Sequence, residues 1–426
     1  MSGQERQGWI IVAGLFVTLL LIFGSGVHTS GVFITPLLKY FGWSRTKVSG
    51  LPSVFALSVG LSAPLIGWLL DRIETRVVMA AGALVAAASF VIASRSNSYP
   101  PMLVAYVVLG VGVCAATFLP ASLVIANWFG TRRGVAMGVT MSGTTAGGML
   151  MTLVPSHAIA HGGWRVGYEV LAAPMALVAA PLIWLLVRTR PTDNVGVSVA
   201  AAAALLPGLE VGEALRTRSF WTISLAKFCF GFYAAGGIVH IITYLIGIGY
   251  RPSSAAFAMS LVFGCATMGK ILMGLFADRM SARITLCADL VIAAAGMVLL
   301  FGAVHIAVLV SFVIVYGLTF AAPFVLLPLV MAESLGLKRF GTLGGLAALA
   351  ETTGAALGPL VTGRIFDLTG SYTTAFELFI VMQMLAAVAA FACLPLSVEQ
   401  SRIDAGRLQG GLSGAPSLRP SSTDPA

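Results

Sequence analysis

The sequence predicts an all-α membrane protein with twelve transmembrane helices, arranged as two related bundles of six. Three observations lead to this fold class. The chain of 426 residues is 58% hydrophobic and only 10% charged, a composition that requires lipid as the solvent of its surface. Apolar runs of about 20 residues, the helical length that crosses a bilayer, recur along nearly the whole chain. Short motifs of the first half also return, in the same order, in the second half.

The apolar runs predict the helices in order along the chain. The first run starts at Trp9 and is too long for a signal peptide without a cleavage site, so we expect it to be retained. The first six helices are expected near 9–38, 49–70, 77–93, 102–126, 134–159 and 164–187. The second six are expected near 220–248, 255–277, 284–301, 306–332, 341–366 and 372–396. The predicted units are a bundle at 1–187, a cytoplasmic linker at 188–219, a bundle at 220–396 and a disordered, Ser/Gly/Pro-rich tail at 397–426.

The placement of basic residues predicts the orientation. Sixteen of the 25 lysines and arginines fall on the side that holds both predicted termini, and seven fall on the other side. Because cytoplasmic loops carry the excess of Lys and Arg, we expect a multi-pass protein of the cell inner (plasma) membrane with both termini cytoplasmic. This topology explains the net charge of +9, and no nucleic-acid partner is expected. The remaining two cations, Lys227 and Lys270, fall inside the membrane.

Three motifs repeat between the halves at separations of 206 to 212 residues. The pairs are Trp9…His28 with Trp221…His240, Gly67-x-x-x-Asp71-Arg72 with Gly274-x-x-x-Asp278-Arg279, and Asn127-x-x-Gly130-x-Arg132-Arg133 with Glu333-x-x-Gly336-x-Lys338-Arg339. Matches in the same order indicate a duplicated six-helix unit. Such repeats are related by an axis along the membrane normal, with the solute site between them near the midplane.

The stretch Gly67-Trp68-Leu69-Leu70-Asp71-Arg72 and its copy at 274–279 resemble the signature loop of the major facilitator superfamily. Within that superfamily the chain is similar to the monocarboxylate transporter and oxalate:formate antiporter group. The motifs that carry this similarity are Gly31-Val32-Phe33, Trp128-Phe129 with Arg132-Arg133-Gly134, and Gly358-Pro359 with Asp367-Leu368-Thr369-Gly370-Ser371-Tyr372. The resemblance covers almost the entire chain. It implies the major facilitator fold of two pseudo-symmetric six-helix bundles.

The duplicated loops are the predicted gates. An acidic residue at a helix end can pair with arginine or cap a facing helix, and can thereby hold one access state closed. The predicted gating residues are Asp71, Arg72, Asp278, Arg279 and Glu333. The alternative interpretation is ordinary loop charge that serves only topology.

Lys270 is the main candidate for substrate binding. It precedes Asp278 by eight residues and so lies about 12 Å into the membrane, where a cation is costly unless it faces a cavity or a counter-charge. The resemblance implies that it stands where this group commonly has an arginine that binds the substrate carboxylate. The aspartate that the group's proton symporters often have four residues earlier is Ala266 here. The alternative is a snorkelling or structural lysine.

Three further groups are candidates for moving protons. His28 and His240 occupy equivalent places in helices 1 and 7, and histidine can hold a proton or donate to a carboxylate near neutral pH. They are therefore candidates for both substrate binding and proton coupling, although a satisfied interfacial histidine is the alternative for each. Glu351 lies near the middle of helix 11. It could be the proton carrier or the partner of Lys227 or Lys270, and the alternative is a neutral, hydrogen-bonded core acid. Asp289 is expected to be structural.

These features predict a secondary transporter of a small organic anion, a monocarboxylate carried with H⁺ by alternating access. Anion exchange, efflux of a more hydrophobic compound, and a transporter-like solute sensor remain as alternatives. An enzyme is not expected, because the sequence has neither a phosphate-binding loop nor a nucleophile triad. Five cysteines in apolar segments, without CxxC spacing, predict neither disulfides nor a metal site. We expect no cofactor and a monomer.

Overall fold

The computed structural model describes residues 3–151, 153–190 and 205–413. In this part of the chain twelve helices form two halves of six, which confirms the predicted fold class. The first half contains α1 (Gly3–Phe23, Gly24–His28 and Ser30–Phe41), α2 (Arg45–Leu70), α3 (Thr75–Arg95), α4 (Tyr99–Ala116 and Phe118–Trp128), α5 (Arg133–Met151 and 153–162) and α6 (164–186). The second half contains α7 (Arg218–Gly247), α8 (Pro252–Arg279), α9 (Ala282–Leu300), α10 (Ile306–Phe320 and Pro323–Leu335), α11 (Phe340–Thr369) and α12 (Thr373–Phe391).

Ten segments are long and apolar enough to cross a membrane, and one of them, Arg133–Leu186, contains both α5 and α6. The break between these two helices is at Gly163, whose φ of 79° is a left-handed conformation that glycine adopts at little cost. The helix outside the ten segments is α11, which contains Glu351 and many glycines. It has 30 residues and packs against α7 and α2.

The two halves make their most extensive contacts through two pairs of helices, α2 with α11 and α5 with α8. A Cβ atom added at Gly67 would collide with the carbonyl oxygen of Gly341, and one added at Gly274 would collide with that of Gly134. Small residues therefore allow backbone-to-backbone contact. These contacts lie on the side of the membrane that holds Asp71 and Asp278, which we call the aspartate side. The halves are closed against each other there.

The linker is docked on the second half where it is described. The backbone N–H of Leu209 donates a hydrogen bond to the Leu335 carbonyl (3.0 Å). The Glu210 carboxylate accepts a hydrogen bond from the Arg339 side chain (2.8 Å) and forms an ion pair with Lys338 (3.2 Å). The hydrogen bond from Arg339 lowers the pKa of Glu210 below its ordinary value. Residues 191–204 of the predicted linker lie outside the described residues.

The predicted disorder of the tail is wrong for its first part, which forms a helix over Leu396–Ser413. Glu399 in its first turn is buried and accepts hydrogen bonds from the Ser219 hydroxyl (2.6 Å) and backbone N–H (3.3 Å) at the start of α7. The acidic side chain caps α7 and anchors the tail. A prediction from polar composition alone misses that contact. Residues 414–426 lie outside the described residues.

Candidate functional site

The aspartate of the first loop caps a helix of the other half. Asp71 accepts hydrogen bonds from the backbone N–H groups of Gly341 (3.0 Å) and Thr342 (2.9 Å), and from the Thr342 hydroxyl (2.6 Å), at the start of α11. Burial raises the pKa of Asp71, whereas these hydrogen bonds act in the opposite direction. A carboxylate at a helix N-terminus satisfies unpaired N–H groups and interacts favourably with the helix dipole. This cap fastens the second half to the first.

The aspartate of the second loop repeats the same arrangement in the reverse direction. Asp278 accepts hydrogen bonds from the N–H groups of Gly134 (2.5 Å) and Val135 (2.9 Å), at the start of α5. Each half therefore supplies one carboxylate and one helix N-terminus to the contact between the halves. The sequence left two interactions open for an acidic loop residue, pairing with arginine and capping of a facing helix. Both aspartates cap a facing helix.

The other predicted gating residues lie outside these two caps. The Arg72 guanidinium stacks on the Trp68 ring at 3.9 Å, and the Arg279 side chain is exposed. Glu333 accepts a hydrogen bond from the N–H of Ala282 (3.2 Å), so it caps α9 within its own half. Among these five residues, Asp71 and Asp278 are the two whose described hydrogen bonds join the halves, and Glu333 is also within electrostatic reach of Arg133 in the first half.

Removal of the Asp71 charge is expected to slow transport without weakening substrate binding. In Asp71→Asn, the amide keeps an acceptor but loses the charge that interacts with α11, so we expect turnover to fall roughly tenfold. Initial uptake rates and substrate affinity in proteoliposomes would measure the two effects separately. Arg72→Gln is the matched control, since it changes the neighbouring charge outside the cap and should alter turnover much less. Loss of binding in folded Asp71→Asn would show that this loop is not a gate.

Lys270 lies in the contact between the halves. It is 1% exposed, and its ammonium donates hydrogen bonds to the Met141 carbonyl (3.1 Å) and the Thr144 hydroxyl (2.7 Å), both on α5. The Phe324 ring lies 5.6 Å away. Within the described residues no carboxylate forms an ion pair with it. Lys270 is therefore a buried cation with neutral partners, placed between the two halves.

The two histidines lie in different surroundings. His28 ends the π-helical turn of α1 and packs edge-on against Phe263 of α8, with ring centroids 6.1 Å apart. It is also within electrostatic reach of Lys270. His240 faces the Pro359 carbonyl (3.1 Å) and the Tyr372 hydroxyl (3.5 Å), both of its own half. The structure thus brings His28, but not His240, to the junction that contains Lys270.

Glu351 pairs with Lys227 rather than with Lys270. The Lys227 ammonium lies 2.6 Å from Glu351 Oε2, and the two side chains are 12% and 23% exposed. This pair joins α7 to α11 near the middle of the membrane. The sequence did not decide which lysine pairs with Glu351, because Lys227 and Glu351 are 124 positions apart and share no sequence pattern. The acceptors of Lys270 were also missed, since a threonine in a small-residue helix gives no distinguishing signal.

A twelve-helix fold whose halves are joined by reciprocal caps defines a membrane transporter. Residues 14–359 match the family model described as Major Facilitator Superfamily. The chain belongs to this family, whose members are transporters and not enzymes.

Three known proteins show the similarity. An uncharacterized transporter of this type, YcxA of Bacillus subtilis, is 24% identical over 91% of this chain and 95% of its own length. Monocarboxylate transporter 13 of Bos taurus is 25% identical over 87% of this chain and 85% of its own. The solved structure of FucP in the outward conformation superposes with a TM-score of 0.70 at 16% identity, covering 90% of this chain and 99% of that chain. The last likeness concerns the fold alone.

Proposed function

We propose that the protein carries small organic anions of the monocarboxylate class together with protons. The observation that supports this most directly is Lys270, a fully buried ammonium at the contact between the halves that is held by neutral oxygens alone. An unpaired cation in an apolar interior is unfavourable. A carboxylate that reaches it from water would supply the missing charge. The similarity to monocarboxylate transporter 13 supports the same class of solute.

Alternating access would expose this cation in turn to each side. In our proposal the halves 1–187 and 220–396 rock about the central site, and both termini lie in the cytoplasm. Separation at the aspartate side would part α5 from α8 and take Lys270 away from Met141 and Thr144. The substrate carboxylate would replace these two acceptors. Asp71 and Asp278 would then act as the gates, without touching the solute.

The proton would be carried by Glu351, with His28 or His240 as the other candidates. When Glu351 is ionised, it neutralises Lys227 at 2.6 Å. A protonated Glu351 could not hold this charge, and Lys227 would become available to an anion. Uptake of one proton with one carboxylate leaves the net charge of the site unchanged. The partial exposure of both side chains supports their access to water and solute.

Uptake by the purified protein in liposomes tests the proposed function. Lactate, pyruvate and benzoate would be offered, with and without a pH gradient that is acidic outside the liposomes. We expect accumulation above equilibrium only with the gradient. Uptake that requires a carboxylate on the opposite side would instead establish anion exchange. If none of the three anions binds or moves, the organic-anion assignment is wrong.

Substitution of Lys270 tests the substrate site. In Lys270→Gln we expect loss of carboxylate binding by about a hundredfold, because one charge-assisted contact in a buried site is lost. Lys270→Arg should retain part of the transport, since the charge remains on a larger planar group. Calorimetry with lactate on detergent-purified protein would measure both affinities. Unchanged affinity in folded Lys270→Gln would remove Lys270 from the site.

A further inference from the structure

Four polar side chains are buried within the second half without any hydrogen-bond partner. They come from four helices: Tyr233 of α7, Asp289 of α9, Tyr316 of α10 and Gln383 of α12, and all four are at most 1% exposed. The atoms without a partner are both Asp289 carboxylate oxygens, both tyrosine hydroxyls, and the oxygen and nitrogen of the Gln383 amide. Buried polar groups are normally paired, so such a group requires an explanation.

The contacts between the helices place these side chains close together. Cys287 of α9 donates a hydrogen bond to the Ala387 carbonyl of α12 (3.4 Å). Because α9 and α12 run antiparallel, Asp289 and Gln383 lie at neighbouring levels.

The two tyrosines lie at the same place in the bundle. Tyr233 is within electrostatic reach of both Asp289 and Tyr316. The Tyr316 hydroxyl lies 3.2 Å from the position of a Cβ at Gly237, one helical turn beyond Tyr233 on the same face of α7. The four polar groups thus surround one region in the core of the second half.

A proton on Asp289 does not account for this arrangement. A proton would remove the charge of Asp289, but it would leave the hydroxyls of Tyr233 and Tyr316 and the amide of Gln383 without partners. Within the described residues Asp289 also forms no ion pair. An ionised Asp289 among neutral polar groups lacks a counter-charge in the apolar interior, and a bound cation would supply it.

We propose that these four residues bind one Na⁺ ion. The available ligands are oxygens alone: a carboxylate, two hydroxyls and an amide oxygen, which are the ligands that hard cations prefer. The single negative charge of Asp289 neutralises a monovalent ion, whereas a divalent ion would leave a positive charge in the apolar core. Water completes the coordination shell and accepts from the Gln383 amide nitrogen. This site is separate from Lys270 and does not depend on the identity of the transported solute.

Thermal unfolding of the full-length purified protein tests the site. Melting would be followed in NaCl, KCl and choline chloride of equal ionic strength. Since the ion joins four helices and binds only the folded state, Na⁺ should raise the melting temperature above the values in the other two salts. Binding of ²²Na⁺ to the same sample should saturate at one ion per chain. The absence of both effects in the wild-type protein would overturn the proposal.

Variants identify the ligands. Asp289→Asn should lose the Na⁺-specific stabilisation and ²²Na⁺ binding, whereas Glu377→Gln, which changes an exposed acid of α12, should retain both. If Asp289→Asn does not fold, Tyr316→Phe keeps the ring and removes one oxygen, and it should weaken Na⁺ binding roughly tenfold. Unchanged Na⁺ affinity in the folded variant would exclude the assigned ligands. Stabilisation that follows pH and ignores Na⁺ would show a protonated acid with water in place of an ion.

Discussion

Gly274→Ala will prevent closure on the aspartate side and will lower the transport rate at least tenfold. The added methyl group would meet the carbonyl oxygen of Gly134, its carbonyl carbon at 2.7 Å and the Val135 nitrogen at 3.2 Å. All three are backbone atoms of α5, so relief requires α8 to move away from α5. That movement would break the hydrogen bonds from Gly134 and Val135 to Asp278. Overpacking of this kind costs about 1–3 kcal/mol, which corresponds to roughly tenfold or more in the population of the closed state.

The same helix provides the control. A Cβ added at Gly264 meets nothing within 4 Å, so Gly264→Ala should transport at the wild-type rate. Labelling of a cysteine placed on the aspartate side would report the closed population in each variant, and uptake in proteoliposomes would report the rate. If both alanine variants label and transport as the wild type does, the contact between α5 and α8 does not control access.

Glu351→Gln will abolish accumulation driven by a pH gradient while exchange of the anion between the two sides continues. The amide has no proton to carry and no charge to hold Lys227, so the cation stays available to the solute at every pH. Binding of lactate should accordingly be tighter than in the wild type, in which ionised Glu351 holds Lys227. Counterflow of labelled lactate measures exchange, and uptake after a pH jump measures coupling.

Variants of the partner and of the histidines complete this test. Lys227→Gln leaves the Glu351 carboxylate without its partner inside the membrane, and we expect the melting temperature to fall. The double variant Lys227→Gln/Glu351→Gln removes both charges and should recover most of that loss. Full gradient-driven accumulation in Glu351→Gln would show that His28 or His240, and not Glu351, carries the proton. Full accumulation in single variants of all three groups would exclude this coupling scheme.

The fold could be predicted because apolar runs of the length of a bilayer leave few alternatives. The repeated loops could be predicted too, since Asp71 and Asp278 stand in the same pattern at equivalent places. Their use as caps depends on which helix start faces them, and that follows only from the packing of α2 on α11 and of α5 on α8. From the sequence, pairing with arginine, capping of a facing helix and ordinary loop charge all remained open for these aspartates.

Side-chain pairing across distant helices could not be predicted. Lys227 and Glu351 meet because α7 and α11 pack together, and the sequence offered Lys270 as an equally good partner. Asp289 was expected to be structural. Tyr233, Tyr316 and Gln383, which lie near it, belong to other helices and gave no signal in the sequence. The helical start of the tail was missed for the same reason. One buried contact of Glu399 outweighs the polar composition around it.

The Asp71 cap and the ion pairs of the linker residue Glu210 with Lys338 and Arg339, here called the linker clamp, should respond differently to ionic strength. The Asp71 carboxylate is 5% exposed and accepts direct hydrogen bonds from main-chain N–H groups, whereas Asp278 is exposed. Mobile ions screen exposed charges over a Debye length of about 10 Å at 0.1 M, but they act weakly on buried contacts. The clamp between Glu210 and Lys338 or Arg339 is an ion pair with a 43% exposed carboxylate. Rising salt would therefore release the linker from the second half while the Asp71 contact between the halves holds.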